Sequence, residues 1–213
     1  MGNVQRLVES YLTAREVVIS RGYGAEIDWQ DTRCLSLLSE SEFLEEAAWV
    51  VLSTGMRESV IRRYFPKITS AFLNWVSAET IVQNRTSCEA AAVKVFNYPR
   101  KISAIGSICE RIARTGFATF REKIQTEGAD FLQTLDFIGP VTKYHLAKNV
   151  GLDVVKPDRH LVRWAKAANF KYPKDLCQAI AEITGDKLSV IDLVLWRYAT
   201  LDPQYTGLFL PQV

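Results

Sequence analysis

The chain has 213 residues, with 26 Lys and Arg against 24 Asp and Glu, and 48% hydrophobic residues that include 11% aromatics. That composition suits a globular protein with a substantial core, in one domain or a two-lobed one. No run of about 18 apolar residues offers a membrane span, and no basic-then-apolar leader opens the chain, so a cytoplasmic protein is expected (nuclear in a eukaryote). Cys34, Cys88, Cys109 and Cys177 stand far apart with no CxxC pair, so zinc is not expected.

Residues 4–21 place Val4, Leu7, Val8, Tyr11 and Leu12 on one helical stripe, with Gly22 and Gly24 as its end. Asp28–Leu38 is less regular. Ser39 and Glu42 form a capping-box pattern for a helix to about Leu52, carrying Phe43, Leu44, Ala47, Trp49, Val50 and Val51. After Gly55, Arg57–Phe65 adds helix up to Pro66. Short helices follow over Ile68–Trp75 and Ala78–Val82, then Glu89–Phe96 capped by Ser87. Arg100–Thr115 has Ile102, Ile105, Ile108, Cys109 and Ile112 at helical spacing and closes at Gly116. Ala118–Gln125, Pro173–Thr184 and Lys187–Thr200 complete the helices, the last apolar on most sides. No strand of useful length, repeat or low-complexity linker is visible.

Gly128–Trp164 is the organising stretch: a helix over Ala129–Leu135, a turn Asp136-Phe137-Ile138-Gly139, and a second helix that Pro140 opens and Gly151 ends. Glycine at 139 suits a backbone that takes positive φ or that something must approach closely. A helix N-terminus at such a corner binds anions. Lys156-Pro157-Asp158 opens a third helix. From Gly139 to Lys174 there are eight basic side chains and two acidic ones, while the whole chain carries only +2. A basic segment on a near-neutral chain suggests a polyanion partner.

The run LDFIGPVTKYHLAKNVG followed by PDRH resembles the helix-hairpin-helix DNA glycosylase superfamily, which includes endonuclease III, the adenine glycosylases and the alkyladenine glycosylases. The match lies at Leu135, Ile138, Gly139, Thr142, Gly151, Asp158 and His160. It departs at Phe137, where a first hairpin glycine is usual, and at Lys143, where a small residue is usual. Glu42–Gly139 fits more loosely, through its helical layout and the run Trp49–Ser53.

The resemblance implies an all-α fold of two helical lobes, about 38–153 with the hairpin at 129–150, and 1–37 plus 154–213, with a cleft between them. It implies a monomeric DNA glycosylase acting on duplex DNA that contains a damaged or modified base. Asp158 would be the catalytic carboxylate; in bare sequence it is equally a helix cap. Phe137, Ile138, Gly139, Pro140, Val141, Thr142, Lys143, Lys148, Arg159, His160 and Arg163 would contact DNA. Trp49, Met56, Tyr64 and Trp164 are candidates for a base pocket or wedge, though aromatics at helical spacing are more often core. Bifunctional relatives carry a Schiff-base lysine two residues after the last hairpin glycine; Val141 stands there. Lys143 lies about 200° further round the helix, so monofunctional chemistry is expected, with a lyase that uses Lys143 as the alternative. Relatives with an iron–sulfur cluster hold it with four clustered cysteines, and only Cys177 lies near the C-terminus, so neither cluster nor other cofactor is expected. A non-catalytic hairpin grip on DNA and a helical protein-interaction domain remain open beside the enzyme.

Overall fold

A computed structural model describes residues 2–209, and among them the regular secondary structure is all helical, with no strand. The chain forms two compact units. One is the continuous segment Cys34–Val150; the other joins the chain ends, Met1–Arg33 and Gly151–Val213.

The continuous unit holds α3 (Glu40–Ser53), α4 (Glu58–Ala71), α5 (Ala78–Gln83), α6 (Arg85–Val95), α7 (Pro99–Thr115), α8 (Phe117–Glu127), α9 (Ala129–Gln133) and α10 (Thr142–Asn149). The Ser39–Glu42 capping box forms as the pattern predicts: the Glu42 amide donates to Ser39 Oγ, and the Glu42 carboxylate accepts from the Ser39 amide. Such a cap stabilises a helix start by about 1 kcal/mol. α3 packs on α7, α4 and α10 and buries Phe43, Leu44, Ala47, Ala48, Val50, Val51 and Leu52. The isoleucine stripe of α7 is buried against it.

Three expectations shift here. α4 continues through Pro66, whose exposed ring costs one intrahelical hydrogen bond but ends nothing. Residues 73–75 are not helical in the ordinary sense: Leu73, Asn74 and Trp75 sit at φ 55, 53 and 57, a left-handed turn of residues that all carry a Cβ. The buried Trp75, whose indole N–H donates to Thr69 Oγ1 at 3.1 Å, anchors it. α6 begins at Arg85, so Ser87 lies inside it and caps nothing.

The other unit is built on α13 (Leu188–Leu201), against which α1 (Gly2–Val18), α2 (Gly24–Thr32), α11 (Arg159–Ala167) and α12 (Pro173–Thr184) pack. Gly22 breaks the first helix with φ 88, but Gly24 starts α2 rather than ending anything. Leu7, Val8 and Tyr11 of the N-terminal stripe are buried, whereas Val4 and Leu12 are exposed. Tyr11 donates its hydroxyl to Asp186 at 2.6 Å, and Arg197 forks onto both oxygens of Glu26 at 2.9 and 2.8 Å. These polar ties are long-range in sequence and satisfy groups that burial would otherwise penalise.

Candidate functional site

In the continuous unit the hairpin is anchored by Leu135 and Ile138, 5% and 4% exposed. Its left-handed residue is Phe137, at φ 64, not Gly139. The position where the resemblance puts a first hairpin glycine is thus left-handed in this chain, and a phenylalanine takes the strain. Its ring meets Tyr98 edge-on at 6.4 Å. Gly139 has ordinary backbone angles, and a Cβ built there meets only Thr142 Oγ1, at 3.7 Å. Among the described residues nothing crowds a side chain at 139. The Gly139 amide donates to Thr142 Oγ1 at 2.7 Å. The helix starts at Thr142, two residues beyond Pro140, and the Val141 and Thr142 amides have no acceptor among the described residues. Two unpaired amides at a helix N-terminus, beside an open glycine, can hold a phosphate oxygen.

The lysines of this region divide. Lys143 donates to Asp130 at 2.6 Å and lies over the Tyr144 ring at 5.2 Å; the bond to Asp130 raises its pKa. Lys148, expected in the DNA grip, is only 5% exposed and is withdrawn from that surface.

A third lysine was not singled out by sequence. Lys101, 2% exposed, donates to the carbonyls of Leu52 and Thr54, each at 2.6 Å. Burial lowers its pKa. It caps the C-terminus of α3, where helix carbonyls lack intrahelical partners. The turn it holds presents Gly55 at φ 70 and then Met56, 37% exposed. Trp49 is half-buried edge-on to Phe65 at 5.1 Å, and Tyr64 is half-buried against Phe96 at 5.8 Å. Both rings are spent largely on packing.

In the unit of the chain ends, Asp158 is the N-cap of α11, one residue before the helix rather than within its first turn. Oδ1 accepts from the amides of His160 at 2.9 Å and Leu161 at 3.1 Å. Oδ2 faces the Lys156 ammonium at 3.8 Å, and the side chain is 14% exposed. Arg159, Val162, Arg163 and Lys166 form the exposed face of α11. Arg159 donates its Nε–H to His160 Nε2 at 3.2 Å, which assigns the proton of the neutral imidazole to Nδ1. Among the described residues that Nδ1 is buried without a partner, and so is the hydroxyl of Tyr205, whose ring lies 5.7 Å from the imidazole. Burial, with Arg159, Arg163 and Lys156 nearby, lowers the His160 pKa; Asp158 opposes them. Trp164 corrects an expectation. It is 0% exposed and donates its indole N–H to Leu195 O at 3.0 Å, so it is core and has no face for a base. Among the described residues no cluster of three or more His, Cys, Asp or Glu is placed to hold a metal.

No protein-family model matches the chain, and no curated protein matches it. Among solved structures it is similar to the 8-oxoguanine glycosylase/lyase of Methanocaldococcus jannaschii, crystallised with a 15mer DNA containing 8-oxoguanine. The TM-score is 0.60 at 20% identity, over 95% of this chain and 99% of that one. The chain shares that protein's all-helical fold.

Proposed function

We propose that the chain is a DNA N-glycosylase that hydrolyses the bond between the sugar and a damaged or modified base in duplex DNA. The observation that carries this is Asp158. Its carboxylate is largely enclosed, tied through one oxygen to two helix amides, with the other oxygen left beside Lys156. Loss of the base builds positive charge on the sugar, and a fixed carboxylate stabilises that charge and orients the water that adds to the anomeric carbon. A cap that is already preorganised spends nothing on reorganisation as the charge develops. The hairpin amides of Val141 and Thr142 would take phosphate, with Arg159 and Arg163 adding cations. Extrusion of the base costs a few kcal/mol, least for a damaged one, and Met56 is the side chain proposed to fill the gap. The likeness in fold to a glycosylase/lyase supports this class of reaction over a bare DNA grip.

The enzyme acts without a lyase step in this proposal, and as a monomer without a cofactor. A Schiff-base amine must be available unprotonated. Val141 has none, Lys143 is held as the ammonium by Asp130, and Lys101 is enclosed and committed to two carbonyls. The test is incubation with duplexes bearing 8-oxoguanine, hypoxanthine, uracil or 3-methyladenine, followed by mass spectrometry of released bases. Release from one of them is expected, with no borohydride-trapped adduct. Salt-dependent binding without release from any duplex would leave a non-catalytic grip.

A further inference from the structure

Asp158 is delivered by a non-helical segment, residues 152–158, that lies along the start of α13. Two hydrogen bonds staple the segment there, one in each direction. Asp153 Oδ1 accepts from the Ser189 amide at 2.8 Å, so the segment caps α13. One turn further along, Asp192 Oδ2 accepts from the Lys156 amide at 2.5 Å, so α13 holds the segment. Asp192 is 1% exposed and Ser189 2% exposed. A carboxylate enclosed to that degree is costly unless it is bonded, and replacing it with an apolar side chain is often neutral or better for stability. Its place on α13 therefore calls for a reason beyond stability.

The geometry downstream of Lys156 supplies one. Lys156 precedes a proline, which restricts it to extended backbone, and Pro157 has a fixed φ. The Asp158 amide then donates back to Lys156 O at 2.8 Å, closing a tight turn over Pro157. Between the Lys156 amide and the Asp158 carboxylate there is almost no torsional freedom. We infer that Asp192 is a positioning residue: its buried carboxylate holds the Lys156 amide and thereby sets where Asp158 presents its own. This rests on the reading of Asp158 as the carboxylate that acts on the sugar.

The test uses the full chain and two readouts. Amide hydrogen exchange follows Lys156, His160 and Leu161, and single-turnover base release follows the duplex, among the four probe lesions, on which the parent is fastest. Asp192→Ala should speed exchange at those three amides at least tenfold while amides of α12 keep parent protection. Release should fall at least tenfold with the duplex Kd within twofold. Asp192→Asn, which keeps an acceptor oxygen, should recover most of both. If Asp192→Ala does not fold, Lys156→Pro against Lys156→Ala carries the test, because only the proline removes the amide. Both variants lose the ammonium beside Asp158, so the comparison is between them: Lys156→Pro should release base at least tenfold more slowly than Lys156→Ala. Parent-level release in Asp192→Ala, or release by Lys156→Pro as fast as by Lys156→Ala, while Asp158→Asn is inactive, overturns the positioning role and leaves Asp158 standing. Parent-level release in Asp158→Asn removes the reading of Asp158 itself, and the positioning role with it.

Discussion

Phe137→Gly and Phe137→Ala remove the same phenyl ring but leave different residues at a backbone with φ 64. Both lose the edge-on contact with Tyr98 at 6.4 Å, a pair of the kind that contributes about 0.5–1.5 kcal/mol. Only the alanine keeps a Cβ in left-handed backbone, which costs about 1–2 kcal/mol. Glycine gives back about 0.4–1 kcal/mol of that advantage through its freer unfolded chain. The glycine variant should therefore be more stable than the alanine variant by about 1 kcal/mol, a difference of roughly 2–4 °C in melting midpoint for a chain this long. Against the parent, glycine should lie lower by about 1 kcal/mol, because relieved strain offsets only part of the lost ring contact, the ring's burial and the freer unfolded chain. Alanine should fall below both. Thermal melts followed by circular dichroism, with urea midpoints as a check, measure the order. An alanine variant as stable as the glycine variant would refute a left-handed residue at 137 and with it the account of this hairpin's departure from the family pattern.

Asp158→Asn keeps an acceptor for the two cap amides, and Asn caps helices as well as Asp. It should melt like the parent and bind lesion duplex at least as tightly, while single-turnover base release falls by roughly 10²–10³ or more. Near-parent release would make Asp158 a helix cap only. Gly139→Ala should leave the melt unchanged, since its Cβ meets only Thr142 Oγ1 at 3.7 Å, yet weaken duplex binding measured by fluorescence anisotropy at fixed salt; unchanged affinity would remove the hairpin from the grip. His160 has its pKa lowered from the ordinary 6.5, chiefly by burial, so the unfolded chain takes up the proton first. Its contribution to stability is present above pH 6.5 and lost as pH falls through the lower folded value. The drop in melting midpoint between pH 7 and pH 5 should be smaller in His160→Gln than in the parent; equal drops would assign the acid sensitivity elsewhere.

Local signals carried much of the fold. Periodicity located α3, α7 and α13, and the Ser39–Glu42 box marked a helix start to the residue. What was misjudged turned on tertiary context overriding local rules. Pro66 looked like a stop, but an exposed ring in a packed helix sacrifices one bond and the helix runs on. Gly139 looked like the residue with special backbone because it is the glycine, whereas φ is positive at its neighbour Phe137. Lys148 in a basic segment suits a DNA-facing surface, yet it is buried, and Trp164, a pocket candidate, takes the core role that aromatics at helical spacing more often have. Lys156-Pro157-Asp158 marks a helix start, but the pattern puts Pro157 at its first position and Asp158 in its first turn, whereas Asp158 is the N-cap and Pro157 lies outside the helix. Lys101 and Asp192 could not be found that way: each bonds backbone 36 to 49 residues distant, and no local pattern announces such a partner.

The two-ended make-up of one unit has a consequence for synthesis. The segment Cys34–Val150 is contiguous, so every residue it packs is present once Val150 has left the ribosome. α1 is made well before α12 and α13, helices it packs against, which follow about 150 residues later and more. At 5–20 residues per second that is a delay of roughly 10–30 s. Through that interval Leu7, Tyr11, Ala14 and Val18 lack the native cover that α12 and α13 provide. α1 is thus seated long after it is made, and its apolar stripe is a natural target for a chaperone during translation.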